Sequence, residues 1–415
     1  MSSRIRVILD PPYRGTLDAP HFFTAGEWFT GRVRLTLDRE ETVGSVRADF
    51  TGKVKVTVGQ GQSERVWTYV LFQRSEYLVR EAVKLAADVY EYPFSFSFPE
   101  NFTLRNEFHD DTLLFRGLGT SGMHALPPSC DDAASAGSCA IYYRVTARVP
   151  RTFSDWVDKA TLTLTTCRAA AYPDPRPVLF KSLDSGRVLF KLTDTGLPRP
   201  LGKRESVLNA FHQSDDVRNL VFTMTAEGPT TMVVGKPYDI EIRLVSMLVG
   251  GNLETTPDFQ LRDYSVFLKN RTIARLPGIF SDQITDMAGH ILIAYRPLMS
   301  ALSLDSPKRF TNVLPWKAPG IPPTFSCFAV KRTYDLELKA TVTCLGDDIK
   351  FKMQWRNVTV LPPRMEPGVE EAIRSLGTAA RELPADDAGA PPSYEASQKA
   401  TAPLPAYRVA RNDSS

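Results

Sequence analysis

The chain has 415 residues, 43% of them hydrophobic, with 50 basic and 47 acidic side chains for a formal net charge of +3. This length exceeds one ordinary hydrophobic core, so two domains are expected, and the small net charge argues against a dedicated nucleic-acid binder. Five cysteines (Cys130, Cys139, Cys167, Cys327 and Cys344) show no CxxC spacing, which suggests neither a disulfide framework nor a zinc site and leads us to expect no cofactor.

The first apolar stretch, Val7–Leu9, is too short for the core of a signal peptide, and no run approaches the ~18 apolar residues of a membrane span. A cytosolic, reducing location is the expectation. On the same ground we discount the Asn-x-Ser/Thr triplets at Asn101, Asn270, Asn357 and Asn412 as glycan acceptors.

Period two then dominates. In Gly31–Leu37, Val33, Leu35 and Leu37 share one face while Arg32, Arg34 and Thr36 share the other. The same alternation recurs over Lys53–Val58, Tyr92–Phe98, Ile141–Val149 and Thr161–Thr165. It marks strands with one face on a core and one in water, as in antiparallel sheets. Residues 171–216 interrupt the series with Pro173, Pro175, Pro177, Pro198 and Pro200 and read as an inter-domain connection, with a short helix over Glu205–Phe211. Alternation resumes over Leu220–Met224, Tyr238–Val245, Tyr264–Leu268, Tyr334–Leu338 and Phe351–Trp355. The expected class is therefore all-β, two tandem immunoglobulin-like antiparallel β-sandwich domains. Their boundaries fall at residues 1–170 and 217–362.

From residue 363 the composition changes. Tyr394 and Tyr407 are the only aromatics of this stretch, and from Glu366 onward eight acidic and five basic residues give a net of −3. A helix over Val369–Arg381 is compatible with Val369, Ile373 and Leu376 on one side. Beyond Leu383 too little apolar surface remains to order a chain, so a disordered tail is expected over 363–415.

That tail carries the sharpest motif, Pro391-Pro392-Ser393-Tyr394, a PPxY sequence. Its prolines hold the backbone near polyproline II, so little entropy is lost when the segment docks between the aromatic side chains of a WW domain. Leu404-Pro405-Ala406-Tyr407 repeats the pattern as an LPxY variant. The two tyrosines are thirteen positions apart, about 40 Å when extended, so two WW domains of one partner can engage together.

Other patterns carry less. Gly117–Gly122 matches GxGxxG, but Pro127 and Pro128 forbid the helix that a dinucleotide site needs. His109-Asp110-Asp111 reads as a solvated charge run rather than a ligand set. No nucleophile elbow or P-loop occurs, so no catalytic role is assigned. Lys331, Arg332, Lys350, Lys352 and Arg356 tint the second domain basic, which suits acidic phospholipid or phosphorylated cargo tails; solvated outward strand faces are the plainer account.

Several of these stretches together resemble the arrestin superfamily, and within it the α-arrestins. They are Phe22–Leu35 with its Gly26-Glu27 and Gly31, Val46–Gly52, Tyr92–Pro99, Leu126–Ser129 and Tyr143–Ala147, in that order, with Phe325–Leu338 as a poorer match in the second half. Glu100–Ala125 and Ser129–Ser138 stand out as insertions. The resemblance implies arrestin-like N- and C-terminal sandwiches and an adaptor that binds membrane receptor or transporter cargo. Such an adaptor recruits a WW-domain HECT ubiquitin ligase through PPxY, promotes ubiquitination and endocytic trafficking at the plasma membrane and endosomes, and leaves catalysis to its partner. The alternatives are an arrestin-fold trafficking scaffold acting without ligase binding and, from another class, a β-sandwich enzyme or secreted sugar-binding protein.

Overall fold

A computed structural model describes residues 4–11, 22–59, 63–104, 122–135, 137–152, 154–164, 179–211, 216–249, 257–278, 282–304, 306–315, 321–362 and 407–408. The chain divides into two compact units. One comprises Met1–Ala169, Arg275–Gln283 and Arg364–Ser415, the other Ala170–Ala274 and Ile284–Pro363. Strands dominate both, as the period-two alternation requires.

Chain order in the first half runs β1 (Ile5–Leu9), β2 (Phe22–Phe23), β3 (Trp28–Thr36), β4 (Glu41–Val43), β5 (Val46–Val58), β6 (Arg65–Val79), β7 (Val83–Leu85), β8 (Val89–Ser97), β9 (Asn101–Leu104), β10 (Gly122–Ala125), β11 (Cys130–Ala134), β12 (Gly137–Val149) and β13 (Trp156–Leu164). Two main sheets form. One has the order β1-β3-β8, and the other has β2-β13-β12-β5-β6 with β11 also on β12. All these pairings are antiparallel except β2 on β13.

Inward-facing aromatics join the two sheets. Phe29 of β3 meets Phe50 of β5 edge-on at 5.0 Å, Phe50 meets Phe98 at 4.9 Å, and Phe98 meets Tyr143 of β12 at 5.4 Å. All four are essentially inaccessible to water. The Tyr143 hydroxyl donates to the Pro127 carbonyl at 2.6 Å, which satisfies the one polar atom of the cluster. Gly52 lies opposite Tyr143 in the β5–β12 register, and a Cβ there would stand 2.6 Å from the Phe72 ring and 2.8 Å from that of Tyr143. Before β3 the chain turns at Gly26, whose φ of 82° favours glycine, and the Glu27 carboxylate accepts the Thr24 N–H at 2.8 Å. The residues quoted above as a pattern therefore build a turn and a core.

The second half holds β14 (Leu179–Leu192), β15 (Pro198–Pro200), α1 (Lys203–Phe211), β16 (Arg218–Pro229), β17 (Thr231–Val233), β18 (Pro237–Val249), β19 (Phe259–Leu276), β20 (Gln283–Leu302), β21 (Lys308–Val313), β22 (Phe325–Ser326), β23 (Val330–Cys344) and β24 (Asp347–Leu361). Its sheets have the orders β15-β14-β16-β18-β21 and β17-β24-β23-β19-β20, with β22 also on β23. Phe222, Phe259, Phe351, Tyr264, Tyr334 and Trp355 fill the space between them.

Residues 171–216, expected as a connection, contribute a full strand instead. Twelve residues of β14, Leu179–Phe190, pair with β16. Its first inward positions, Ser182, Asp184 and Gly186, are polar or small and hide the alternation, which only Val188 and Phe190, both buried in the core, complete. Ser182 Oγ accepts the Gln354 N–H and Asp184 Oδ2 accepts the Lys352 N–H, both on β24. At Gly186 a Cβ would lie within 3.0 Å of Phe351, Ile349 and Phe222. The helix expected over Glu205–Phe211 is present as α1, begun by the Gly202 N–H donating to the Glu205 carboxylate at 2.9 Å.

Residues 363–406 lie outside the described part of the chain, including the expected Val369–Arg381 helix, as does Cys167. Tyr407–Arg408, placed in a disordered tail by composition, form β25, antiparallel to β8.

Replacing Phe50 with Ala should lower the unfolding free energy of the first unit by about 3–5 kcal/mol. Gly52→Val should be comparably harmful through overpacking against Phe72 and Tyr143, as read by urea titration.

Candidate functional site

With the inward faces committed to the cores, the outward strand faces and free edges remain for function. On β23 the residues alternate strictly. Val330, Arg332, Tyr334, Leu336 and Leu338 point inward, so Lys331, Thr333, Asp335, Glu337 and Lys339 form the other face.

Glu337 sits at the centre of that outer face with 2% of its surface exposed. Lys269 of β19 contacts it closely, Lys352 of β24 lies 3.3 Å from Oε2, and Lys339 lies 3.5 Å from Oε1. Lys339 also stands over the Phe267 ring at 4.7 Å. Burial pushes the Glu337 carboxyl up, but hydrogen bonds and charge from Lys269 and Lys352 outweigh it and hold the pKa below the ordinary value. Three ammonium groups around one carboxylate leave a locally positive face. Lys350 and Arg356, both exposed, extend it along β24.

Of the five basic residues singled out in the sequence, Lys350, Lys352 and Arg356 are exposed and Lys331 is half-buried. Arg332 corrects the expectation, because it is only 3% exposed and cannot meet an outside ligand. Its Nε donates to the Tyr334 hydroxyl at 2.5 Å, and another guanidinium nitrogen donates to Thr272 Oγ1 at 2.9 Å. Adjacent residues of a strand face opposite sides, so Lys331-Arg332 never formed one patch. Sequence reasoning missed Lys269, Lys339 and Glu337. The outward phase of Lys339 and Glu337 was readable, but the neighbourhood of Lys269 depends on the β19–β23 register, which no local pattern reveals.

Pro391, Pro392, Tyr394, Leu404 and Pro405 lie outside the described residues, and Tyr407 is in β25. Through β25 the first sheet becomes β1-β3-β8-β25, with Tyr407 opposite Glu91 and Arg408 opposite Tyr90. On the other side of β8, the Glu91 carboxylate is held by Arg34 at 2.7 Å and Arg32 at 3.3 Å.

Other sequence features fall as follows. His109–Asp111 and all of Gly117–Gly122 except Gly122 lie outside the described residues. No group of three metal-ligating side chains occurs among the described residues, and no described helix is long and apolar enough to cross a membrane. Asn270 is only 7% exposed, with its side-chain amide against Gly289, so a glycan there would require local unfolding. Burial pushes the Cys344 thiol up to about 12, which keeps it protonated at neutral pH.

No protein-family model matches the chain, and no curated protein matches it.

Glu337→Gln should destabilise the second unit by about 1–3 kcal/mol, because Lys269 loses its buried counter-charge while Lys339 and Lys352 retain access to water. Since the folded pKa is lowered, the carboxylate's contribution is complete above the ordinary carboxylate pKa and disappears as pH falls through the folded value. The difference in urea stability between wild type and variant should therefore shrink from pH 7 towards pH 3.

Proposed function

We propose that the protein is an adaptor that brings a WW-domain HECT ubiquitin ligase to membrane receptor or transporter cargo, promoting its ubiquitination and endocytic trafficking. The observation that carries this reading is the pair of tyrosine motifs, Pro391-Pro392-Ser393-Tyr394 and Leu404-Pro405-Ala406-Tyr407, downstream of two all-β units. Polyproline segments followed by tyrosine suit the aromatic groove of a WW domain at low entropic cost. The chain itself performs no catalysis in this account.

The described strands of the body supply broad sheet faces, a form suited to holding large partners. The α-arrestin resemblance of the first unit supports a cargo-binding role. The basic strip of Lys350, Lys352 and Arg356 faces an acidic membrane surface in this reading. A cytoplasmic protein recruited to the plasma membrane and endosomes would need such an attachment.

A peptide spanning Asp386–Arg411 should bind a tandem WW module at about micromolar Kd, and the Tyr394→Ala, Tyr407→Ala double variant should show no binding. An unchanged affinity in the double variant would defeat the reading. For the basic strip, Lys350→Glu with Arg356→Glu should lower binding of the full chain to phosphatidylserine vesicles by about tenfold or more, with the difference fading at high salt. Equal binding of the two proteins would remove the membrane from the account.

A further inference from the structure

The tail strand has a place in the fold that its composition does not explain. Among the described residues, β8 is the last strand of its sheet until β25 pairs with it, so β8 carries an edge of backbone N–H and C=O groups. Pro93 guards part of that edge. It is exposed on β8, and its ring nitrogen has no hydrogen to offer an incoming strand. Before Pro93, the Val89 N–H already donates to Asp88 Oδ1 at 2.8 Å, so the stretch that remains competent to pair is Tyr90–Tyr92. Tyr407 and Arg408 occupy it, opposite Glu91 and Tyr90. Pro405, two positions before Tyr407, likewise lacks an N–H, which suits a short ladder on this edge. Ion pairs from Arg32 and Arg34 engage the Glu91 side chain on the β3 side, so what Glu91 presents to Tyr407 is its backbone.

We infer that the β8 edge of the first unit is a receptor for the chain's own tail at Tyr407–Arg408, and that docking there and engagement of Tyr407 by a WW domain exclude each other. The second half of this statement rests on the proposed role of the Leu404–Tyr407 motif. A WW groove must surround the tyrosine and the preceding proline in a polyproline II backbone. A residue paired in a sheet has a neighbouring strand within about 5 Å and an extended, pleated backbone, which leaves no room for the groove. The two motifs thus differ. The one ending at Tyr394 stands thirteen residues from the docked pair and is not engaged by it, whereas the one ending at Tyr407 is presented only when the strand lets go. Sheet docking reduces the apparent affinity of that second motif by the fraction of chains undocked.

Hydrogen exchange on the full-length chain tests both halves. In the wild type, the edge-facing amide of Glu91 should exchange about tenfold more slowly than in a Tyr407→Pro, Arg408→Pro variant, in which the tail cannot donate to the edge. Saturating a Tyr394→Ala chain with a single WW domain, which then has only Tyr407 to bind, should erase that protection. The same domain should bind this chain about tenfold more weakly than a free peptide of residues 400–411. Saturating a Tyr407→Ala chain, in which the domain takes the first motif, should leave the β8 amides unchanged. Equal exchange in the wild type and the double-proline variant would overturn the docking. Protection that persists in the saturated Tyr394→Ala chain would overturn the exclusion. If the domain binds neither motif, the adaptor reading and the exclusion both fall, while the wild-type and double-proline comparison still decides the docking.

Discussion

The central strands of both units, among them β3, β5, β12, β16, β19, β23 and β24, surrender one face to a second sheet, and that burial governs the rest of the molecule. In the first unit the contact is aromatic, running from Phe29 through Phe50 and Phe98 to Tyr143. In the second, Phe222 meets Phe259 at 4.8 Å and Phe351 at 5.5 Å. Each such side chain contributes about 1.5–3 kcal/mol by leaving water, which suffices to fix strand register, since a one-residue slip would expose the whole row. Glycines sit where two rings or two strands approach closely, at Gly52 and Gly186. The outward faces and the open edges are then what the fold leaves for partners.

Those faces are not uniform. Around Glu337 the charges are arranged for the fold's own needs. A nearly inaccessible carboxylate holds Lys269, Lys339 and Lys352, so the second unit spends part of its positive charge internally. Lys350 and Arg356 stand outside that cluster and are the side chains best placed to meet an acidic surface. The edge of β8 offers a different kind of contact, made of backbone groups and selective through the residues that can pair there rather than through charge.

Much of the fold was legible in the sequence because alternation records burial directly. Gly31–Thr36, Ile141–Val149 and Tyr334–Leu338 each lie within a strand and turn their alternating apolar residues inward. The prolines and polar residues of 171–216 misled for a physical reason. Ser182 and Asp184 face the core side of β14, where they accept backbone N–H groups of β24, so the hydrophobic row is confined to Val188 and Phe190 although the strand pairs along its length. Arg332 misled in the opposite sense, since a guanidinium beside Lys331 reads as surface charge until Tyr334 and Thr272 are seen to satisfy it. Composition spoke against any strand in the tail. Two residues nevertheless pair with β8 because an open edge, unlike a core, asks only for backbone. The lysines around Glu337 came from three strands whose register is a tertiary property, beyond the reach of local pattern.

The central proposal is that the chain recruits a WW-domain HECT ubiquitin ligase through Tyr394 and Tyr407. The most direct measurement is ubiquitin transfer in a purified system containing a WW-domain HECT ligase, its activating and conjugating enzymes, and the full-length chain as both scaffold and acceptor. The account predicts ubiquitin conjugates on the wild-type chain and their loss, by about tenfold or more, in the Tyr394→Ala, Tyr407→Ala variant, because the ligase is then no longer held at high effective concentration. Equal conjugation of the two proteins would contradict it.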